Sequence, residues 1–432
     1  MKKTYVLKFF LFIVGLVLLL APGYYLFKYS NLLSRFINLF PYKKREILAS
    51  STNINVDSQT PILKDKNDLT TILIIGIDSQ KNSHTLNTDS IMTLTYSHKK
   101  HKVYLISYPR DLYVKYPDTY YHFKINAVYA YGKIYLKRDG IKYLSRVIHD
   151  ITGLNVHYYV MVDFDGFRKI IDTLGGVTID IPRGFVDYAY PDGRGGYKTV
   201  KFTAGRHTLT GEQALEYARS RKAAGPEGSD FARAARQQLI IKALSEQFKQ
   251  KLKKNPTLVF KLFEQIIGYI KASKVSPAEL AAAVDIFLKK GMPPIYSVVL
   301  TPSLGKGRLI SVSHVGHLYT LIPSAGLDNW SYVHQFVKTY IEYPALISSN
   351  PTIYIYFTQD YNKAVNLTER LRNQLMVVDV QGPYKYKAAV DTTTVKYAPK
   401  CSECSTELKK FLPNAKYIQQ KPAYGDIAII VK

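Results

Sequence analysis

The pattern of apolar and polar positions divides the chain into distinct parts. Residues 9–27 form an uncharged apolar run that would extend ~28 Å as a helix, close to the thickness of a bilayer core. This run predicts a single transmembrane helix preceded by a cytoplasmic N-terminus (1–8); a buried core helix is the alternative. Polar, aperiodic residues 28–68 predict an extracytoplasmic linker. Basic residues are more numerous after the run than before it, but long domains are translocated largely regardless of such charges, so we place the remainder outside the cell membrane.

From residue 69 onward, apolar runs rich in β-branched residues alternate with segments of helical character. Strands are predicted at residues 71–78, 91–96, 102–107, 158–163 and 177–181, and helices at 143–151, 167–174, 210–221 and 229–254. Thr210 and Gln213 have the spacing of a capping box at the start of the helix at 210–221. The alternation predicts an α/β fold, in a domain that covers residues 69–345 and ends in a helical extension.

Residues 351–432 are predicted to form a separate, small α/β domain. Strands are predicted at 352–357, 376–380, 394–397 and 426–431, and helices at 361–375 and 408–412. Cys401 and Cys404 are too few to form a structural zinc site, so they are either idle thiols or a small disulfide. No acidic or nucleophilic cluster stands out here, which favours a binding or structural role over catalysis.

The chain is strongly basic, with 59 Lys and Arg against 33 Asp and Glu and a net charge of +26. This balance favours anionic partners: nucleic acid, lipid head groups, polyphosphates or acidic glycans. The sequence has no recognisable DNA-binding motif, and the predicted membrane anchor also argues against nucleic acid.

Two aspartates lie at adjacent strand ends. Asp78 ends the first predicted strand and Asp89 opens the second. Ligands of open α/β sheets bind at such ends, and a pair of carboxylates there suits Mg²⁺ (or Mn²⁺), which also binds water and phosphate oxygens. The alternative is that each aspartate is a turn or capping residue.

Cationic and amide side chains follow these aspartates. Arg110 and Asp111 leave the third predicted strand side by side, and Lys124 and Asn126 lie at a loop-to-helix junction. For Arg110 and Asp111 the alternative is a solvated ion pair.

The densest cluster comes later in the chain. Arg219 and Arg221 end one predicted helix, whereas Asp230, Arg233 and Gln237 share one face of the next through their i, i+3, i+7 spacing. Guanidinium groups bind phosphate oxygens bidentately, so several of them beside a metal-binding pair suit a pyrophosphate. A basic solvated face would explain the charges but not the Asp and Gln in register.

Several blocks of the chain resemble, in order, the motifs of a known family. The resemblance is carried by seven ordered blocks: GIDS (76–79), TDSIM (88–92), SYPRD (107–111), KINAVYAYG (124–132), HYYVMVDFDGFRKIIDTLGGVTIDIP (157–182), LTGEQALEYARSRK (209–222) and DFARAARQQ (230–238). Together they resemble the catalytic domain of the LytR–CpsA–Psr family over about residues 69–245. Residues 351–432 are more weakly similar to the small C-terminal domain often attached to that domain.

The resemblance implies an α-β-α sandwich around a mixed central sheet, with a hydrophobic tunnel for a polyprenyl chain. It also implies a membrane-anchored transferase of cell-wall assembly. Such an enzyme moves a glycopolymer, such as teichoic acid, from a polyprenyl-pyrophosphate carrier to a peptidoglycan hydroxyl with the help of Mg²⁺. The expected partners are therefore the lipid-linked glycopolymer, peptidoglycan and membrane lipid, and not nucleic acid.

The family motifs assign expected roles to the candidate residues. We expect Asp78 and Asp89 to bind the metal; Arg110, Arg219, Arg221, Arg233 and Gln237 to contact the pyrophosphate, with Lys124 and Asn126 as further candidates; and Arg110, Asp111 and Asp230 to be catalytic, the general base being left open.

The chain departs from the family pattern at two positions. Gln80 and Asn87 stand where the family usually has arginine. Their loss weakens the expected contact with the pyrophosphate and puts the rate or the identity of the substrate in question, but not the fold. Arg236, one position off the predicted polar face, is expected to be solvated.

The same site permits two other functions. With water as the acceptor the protein would be a polyprenyl-pyrophosphate hydrolase, and without turnover it would be a lipid- or glycan-binding anchor. A DNA-binding regulator is a third alternative, suggested by the net charge alone.

Overall fold

The computed structural model describes residues 62–77, 86–254, 269–273, 275, 279, 282, 286, 290–291, 293–305 and 308–432. The predicted cytoplasmic N-terminus (1–8), the predicted transmembrane helix (9–27), most of the predicted linker (28–68) and Asp78 lie outside these ranges. Within them, no helix has both the length and the hydrophobicity that a membrane span requires.

The chain divides into two compact units. Of the described residues, those from 62 to 150 and from 154 to 295 belong to the first unit, and those from 151 to 153 and from 296 to 432 belong to the second. The predicted boundary at 345–351 therefore lies inside the second unit. The end of the predicted linker is already packed in the first unit, where Ile62 and Leu63 are buried and the Leu63 N–H donates to the Tyr158 hydroxyl at 3.0 Å.

The first unit contains a mixed sheet. The strands of this unit are β1 (Leu69–Ile77), β2 (Thr88–Ser97), β3 (Lys102–Tyr108), β4 (Tyr113–Lys115), β5 (His122–Lys124), β6 (Val156–Asp163), β7 (Val177–Ile181), β8 (Phe185–Pro191), β9 (Tyr197–Phe202), β10 (Gly205–Leu209) and β11 (Ile270–Ala272). Outside the mixed sheet, β4 pairs with β5, β7 with β10, and β8 with β9. Hydrogen-bonded neighbours run β11-β6-β1-β2-β3, with β1 parallel to β6 and antiparallel to β2. The β-branched residues of β1 are almost all buried, as the continuous apolar run predicted.

Four longer helices accompany this sheet: α1 (Gly140–Thr152), α2 (Phe164–Thr173), α3 (Gly211–Arg219) and α4 (Asp230–Lys254). The predicted capping box of α3 is confirmed: Gln213 N–H donates to Thr210 Oγ1 at 3.3 Å, and Thr210 N–H donates to Gln213 Oε1 at 3.0 Å. α2 contacts β6 and α3, whereas α4 contacts β3, β7 and α3. The predicted α/β fold with a mixed central sheet is therefore confirmed, and its sandwich layering stays a prediction.

The second unit contains β12 (Ile295–Val299), β13 (Ile310–Val315), β14 (Leu318–Pro323), β15 (Thr352–Phe357), β16 (Asp379–Lys385), β17 (Thr394–Tyr397), β18 (Lys416–Gln419) and β19 (Ile427–Val431). Its helices are α5 (Ser331–Glu342), α6 (Pro344–Ser349), α7 (Tyr361–Gln374) and α8 (Ser402–Leu408). One sheet has the order β16-β15-β19-β17-β18. Cys401 and Cys404 are buried free thiols in this unit.

Two sequence predictions in the second unit are wrong. The apolar run 376–380 lies largely ahead of β16, because Met376, Val377 and Val378 are buried in the segment that follows α7 rather than paired in a ladder. The helix predicted at 408–412 ends at Leu408, and the buried Phe411 comes after it.

Candidate active site

A largely apolar cavity of ≈380 Å³ lies beside the sheet of the first unit. It is lined by side chains of β1, β2, β6 and helices α2 to α4, among them Met92, Leu94, Phe167, Ile170 and Ile240. Along β1 it extends from Gly76 to Ile72, which at ~3.3 Å per residue corresponds to ~13 Å. Such a cavity suits an elongated apolar chain.

Charged residues line the cavity where it reaches the strand ends. Ile77 at the end of β1 is in register with Thr88 of β2 and with Asp163 at the end of β6, so these strand ends meet at one edge. The polar residues that line the cavity include Asp89, Asp163, Arg219, Arg221, Lys222, Arg233 and Gln237. One cavity therefore combines an aliphatic interior with a cationic rim.

Arg110 lies among three carboxylates at this edge. Its Nε donates to Asp230 Oδ2 at 3.0 Å and lies 3.8 Å from Asp111 Oδ2, and its Nη1 lies 3.4 Å from Asp89 Oδ1. Burial disfavours the charged guanidinium, but the carboxylates of Asp230, Asp89 and Asp111 outweigh this effect and raise the pKa of Arg110. Arg110 is thus a permanent cation that links the start of β2 to the start of α4.

Arg233 is the second link between these elements. Its Nη1 lies 3.2 Å from Asp230 Oδ1, and its Nη2 donates to the Asp89 carbonyl at 3.2 Å. Burial raises the pKa of Asp230, but Arg233, Arg110 and Arg221 together lower it below its usual value. Asp230 therefore stays ionised between Arg110 and Arg233. Asp230 and Arg233 share one helix face, as their i, i+3 spacing predicted.

The carbonyls that end α3 are bound by side chains of α4. Arg236 donates from Nε to Tyr217 O at 2.9 Å and from Nη2 to Ser220 O, and Gln237 Nε2 donates to Ala218 O at 3.1 Å. The prediction that Arg236 is solvated is wrong, because its side chain is only 3% exposed. The last carbonyls of a helix need such partners, and α4 supplies them beside Arg219 and Arg221.

Asp187 holds the same loop from the other side, and sequence reasoning did not find it. Its Oδ2 accepts hydrogen bonds from the Ser220 hydroxyl at 2.6 Å and from the N–H groups of Arg221 and Lys222 at 3.2 and 3.1 Å. Although burial raises the pKa of Asp187, these donors lower it overall. The loop that carries Arg221 is therefore fixed by Asp187 of β8 and by Arg236 of α4.

The guanidinium group of Arg219 lies over two aromatic rings. Its guanidinium carbon lies 4.0 Å from the centroid of Phe164 and 5.6 Å from that of Tyr190. Stacking of this kind orients a planar guanidinium. Phe164 and Tyr190 had no sequence signal beyond their aromatic character.

Three further candidate residues lie around Arg110: Asp111, Lys124 and Asn126. Lys124 Nζ donates to Asp111 Oδ1, and the Asn126 backbone N–H donates to the Arg110 carbonyl at 3.4 Å. The Asn126 carbonyl accepts a hydrogen bond from Thr88 Oγ1 at 3.1 Å. Neither these three residues nor Arg110 is among the described residues that line the cavity, so the structure places all four beside the rim and not on it.

Two carboxylates among the described residues could contribute oxygen ligands to a divalent cation. Asp89 is on the rim with a carboxylate that is about one-third exposed, and Asp163 lines the same cavity. Within the described residues no group of three or more His, Cys, Asp or Glu side chains forms a metal site. A hard cation that keeps water and phosphate ligands needs only one or two carboxylates, and Asp89 can supply one of them. Asp78, the other predicted ligand, lies outside the described residues.

Comparisons with known proteins give independent information on the chain. The model of the LytR_cpsA_psr family matches residues 40–290, which is more than half of the chain. The regulatory protein MsrR of Staphylococcus aureus (strain Mu50) is 36% identical over 178 residues, which are 41% of this chain and 48% of MsrR. The polyisoprenyl-teichoic acid–peptidoglycan teichoic acid transferase TagU of Bacillus subtilis (strain 168) is 29% identical over 247 residues, covering 56% of this chain and 70% of TagU.

A TagU from Halalkalibacterium halodurans is 31% identical over 180 residues, covering 41% of this chain and 53% of that protein. The crystal structure of B. subtilis TagV covers 64% of this chain and 99% of that chain, with 26% identity and a TM-score of 0.48. The chain spans about half the length of MsrR and of the H. halodurans TagU. Since the family model matches more than half of its residues, the chain belongs to the LytR_cpsA_psr family.

Proposed function

We propose that this protein is a membrane-anchored phosphotransferase that moves a glycopolymer from a polyprenyl-pyrophosphate carrier to peptidoglycan. The observation that carries the proposal is the single cavity with an aliphatic interior and with Arg219, Arg221 and Arg233 on its rim. A long apolar chain attached to a charged pyrophosphate has the same two-part chemistry. The names of the TagU relatives, which are teichoic acid transferases, support the same reaction class.

In the proposed reaction, a peptidoglycan hydroxyl oxygen attacks the phosphorus that carries the glycopolymer. A new P–O bond forms, the phosphoanhydride bond breaks, and polyprenyl phosphate leaves while the hydroxyl proton passes to a base. Arg219, Arg221 and Arg233 would bind the non-bridging oxygens, whose charge rises as the leaving phosphate departs. Mg²⁺ held by Asp89 and Asp78 would neutralise phosphate charge there.

The carboxylates of this site have separate roles in the proposal. Asp230 is a poor base because Arg233 and Arg110 lower its pKa, so its role is to hold these two cations side by side. Asp111 is bound to Lys124 and positions Arg110. The identity of the proton acceptor stays open.

The proposal extends to the domains and their location. The apolar run 9–27 would anchor the chain, residues 28–68 would connect the anchor to the first unit, and both units would lie outside the membrane. The cavity could then receive a lipid carrier directly from the bilayer.

The test is a transfer assay with the full-length protein in detergent. A polyprenyl-pyrophosphate-linked oligosaccharide carrying a label is incubated with polymer-free peptidoglycan sacculi and Mg²⁺. We expect label on the sacculi, at least tenfold less of it with Asp89→Ala or Arg110→Ala, and no change with the exposed control variants Asp180→Ala and Arg183→Ala. Label released into solution instead would establish a hydrolase, and a protein that binds the substrate without either product would be an anchor.

A further inference from the structure

A cluster of tyrosines lies on one face of the sheet in the second unit. The five residues are Tyr354, Tyr356, Tyr384, Tyr386 and Tyr424, and we call them the tyrosine platform. The neighbouring ring centroids lie 5.6 to 6.4 Å apart. Tyr384 is 45% exposed and Tyr424 is 67% exposed, so the platform is open to solvent.

Successive side chains of β15 point to opposite faces of the sheet, which puts the platform on the face opposite α7. Ile353 and Ile355 are fully buried and point to the other face, where α7 packs against β15 and β16. Tyr354 and Tyr356 lie between them in the chain and therefore point away from that core. Gly425 allows the close approach of the Tyr354 ring, because a Cβ at this position would lie 2.7 Å from Tyr354 Cδ2.

The strand register adds two lysines to the same face. Tyr354 is in register with Ala428, which is in register with Lys396; likewise Tyr356 is in register with Ile430, Ile430 with Thr394, and Thr394 with Lys416. Residues directly opposite each other in a ladder point to the same side of the sheet, so Lys396 and Lys416 lie on the platform's face. They are two and three strands from β15, which corresponds to ~10 and ~14 Å.

Two acids next to the platform strands in the chain already have partners. Asp379, in register with Thr352 at the start of β15, accepts a hydrogen bond from Gln381 Nε2 at 2.6 Å. Asp426 Oδ1 lies 2.6 Å from Lys400 Nζ, and its Oδ2 accepts from the Thr352 N–H. The face that carries the platform thus combines exposed tyrosines with two lysines on neighbouring strands.

We propose that the tyrosine platform binds the glycan strand of peptidoglycan. The C–H groups on the face of a pyranose ring are apolar and carry slight positive charge, so they stack on the electron-rich face of tyrosine. Lys396 and Lys416 would meet carboxylates of the peptide stems. The inference rests on the proposed function in one respect, since it takes the acceptor of that reaction as the ligand.

The geometry of the rings favours a glycan over single-stranded nucleic acid. The tyrosine ring planes are inclined to one another by 21° to 62°, which forms a faceted surface instead of a set of parallel planes. Successive sugars of a flexible glycan can each lie on one facet, whereas successive stacked bases are parallel. Nucleic acid is therefore the alternative that the experiment must distinguish.

The experiment measures co-sedimentation of the full-length protein with polymer-free sacculi, without any lipid-linked donor. Tyr384→Ala and Tyr424→Ala should each weaken apparent affinity about 3- to 10-fold, the usual effect of losing one aromatic contact. Tyr384→Phe should bind as the parent does, because the ring face is kept. The matched control is Tyr332→Ala, a tyrosine of α5 with 44% exposure that lies outside the platform.

Two further arms identify the ligand class. Chitohexaose should compete with the sacculi for the parent protein, whereas poly(dT) should not. Lys396→Gln combined with Lys416→Gln should weaken binding and reduce its dependence on salt. Unchanged binding by the Tyr384→Ala/Tyr424→Ala double variant, with an unfolding midpoint like that of the parent, would overturn the proposal; so would displacement by poly(dT) alone.

Failure of glycan binding by the platform can be distinguished from failure of the proposed transfer reaction. Arg110→Ala should abolish transfer yet sediment with sacculi as the parent does, because Arg110 is not part of the platform. If no transfer is found while the tyrosine variants still lose binding, the platform stands and the proposed reaction fails.

Discussion

Replacing Arg236 tests whether α4 holds the end of α3 in place. The Arg236 side chain is 3% exposed, and its guanidinium binds the carbonyls of Tyr217, Ser220 and Glu227 as well as Glu227 Oε2 at 2.8 Å. Arg236→Met keeps most of the volume over the Phe185 ring, whose centroid lies 4.5 Å from the guanidinium carbon, and removes every hydrogen bond.

The expected loss follows from what remains buried after the substitution. Each carbonyl left without a donor costs ~1–3 kcal/mol, and the partly buried Glu227 carboxylate, deprived of its partner, adds to this. The cost of burying the guanidinium, which lowers the pKa of Arg236, is recovered in the variant and offsets part of the loss. We therefore expect the free energy of unfolding of the first unit to fall by ~3–5 kcal/mol, with transfer reduced because Arg219 and Arg221 lose their support.

Hydrogen exchange at residues 217–222 and denaturant unfolding of the full-length protein measure this loss. The control is Arg183→Met, at an exposed arginine. In a double-mutant cycle, Glu227→Gln should cost less when Arg236 is already methionine. A loss below ~1 kcal/mol, with unchanged exchange at 217–222, would show that water replaces the guanidinium at these carbonyls and would refute the reasoning.

Three more predictions concern other parts of the first unit. Arg219→Ala should cost ~2–4 kcal/mol of transition-state stabilisation in the transfer assay, and Arg219→Lys should restore only part of it, because lysine lacks the planar fork; full restoration would indicate a diffuse charge effect. Asn87→Arg should tighten binding of a polyprenyl pyrophosphate analogue in a titration with and without Mg²⁺, by ~1.5–3 kcal/mol, and unchanged affinity would mean that the site already compensates. Burial lowers the pKa of His157 to about 4, and its Nδ1 accepts the Thr71 N–H at 3.0 Å, so the neutral form belongs to the fold. Because the folded-state pKa is depressed, stability should be complete above pH ~6.5 and should decline as the pH falls toward 4, and His157→Gln should flatten this part of a melting-temperature profile.

Local patterns identified the parts of the site that depend on neighbouring residues in the chain. The capping box of Thr210 and Gln213 is present, and Asp230 and Arg233, which their spacing placed on one helix face, form an ion pair there. In both cases the interacting groups lie within one helical turn, so the sequence specifies the contact almost completely.

Contacts between distant elements could not be read from the sequence in the same way. Arg236 was assigned to solvent because its position is one residue off the polar face, but α3 packs there and offers carbonyls that need donors. Asp187 was missed because it lies in β8, a strand with no clear alternation, and its partners at 220–222 are more than thirty residues away. Both residues hold the backbone of the segment that carries the candidate arginines Arg219 and Arg221, and such a contact leaves no motif of side-chain types in the sequence.

The charges around the described site bear on whether the two missing arginines would abolish binding of a pyrophosphate. The charged side chains that line the cavity, together with Arg110 and Asp230, comprise five cations (Arg110, Arg219, Arg221, Lys222 and Arg233) and four anions (Asp89, Asp163, Asp187 and Asp230). Asp111 and Lys124 neutralise each other and add nothing to this balance. The excess of one positive charge is smaller than the charge of about −2 on a doubly esterified pyrophosphate, so a further cation would still have charge to compensate in a partly buried place. An arginine at position 87 would raise the excess to two, which should strengthen binding of the ground state without adding to the rate unless the transition state gains more.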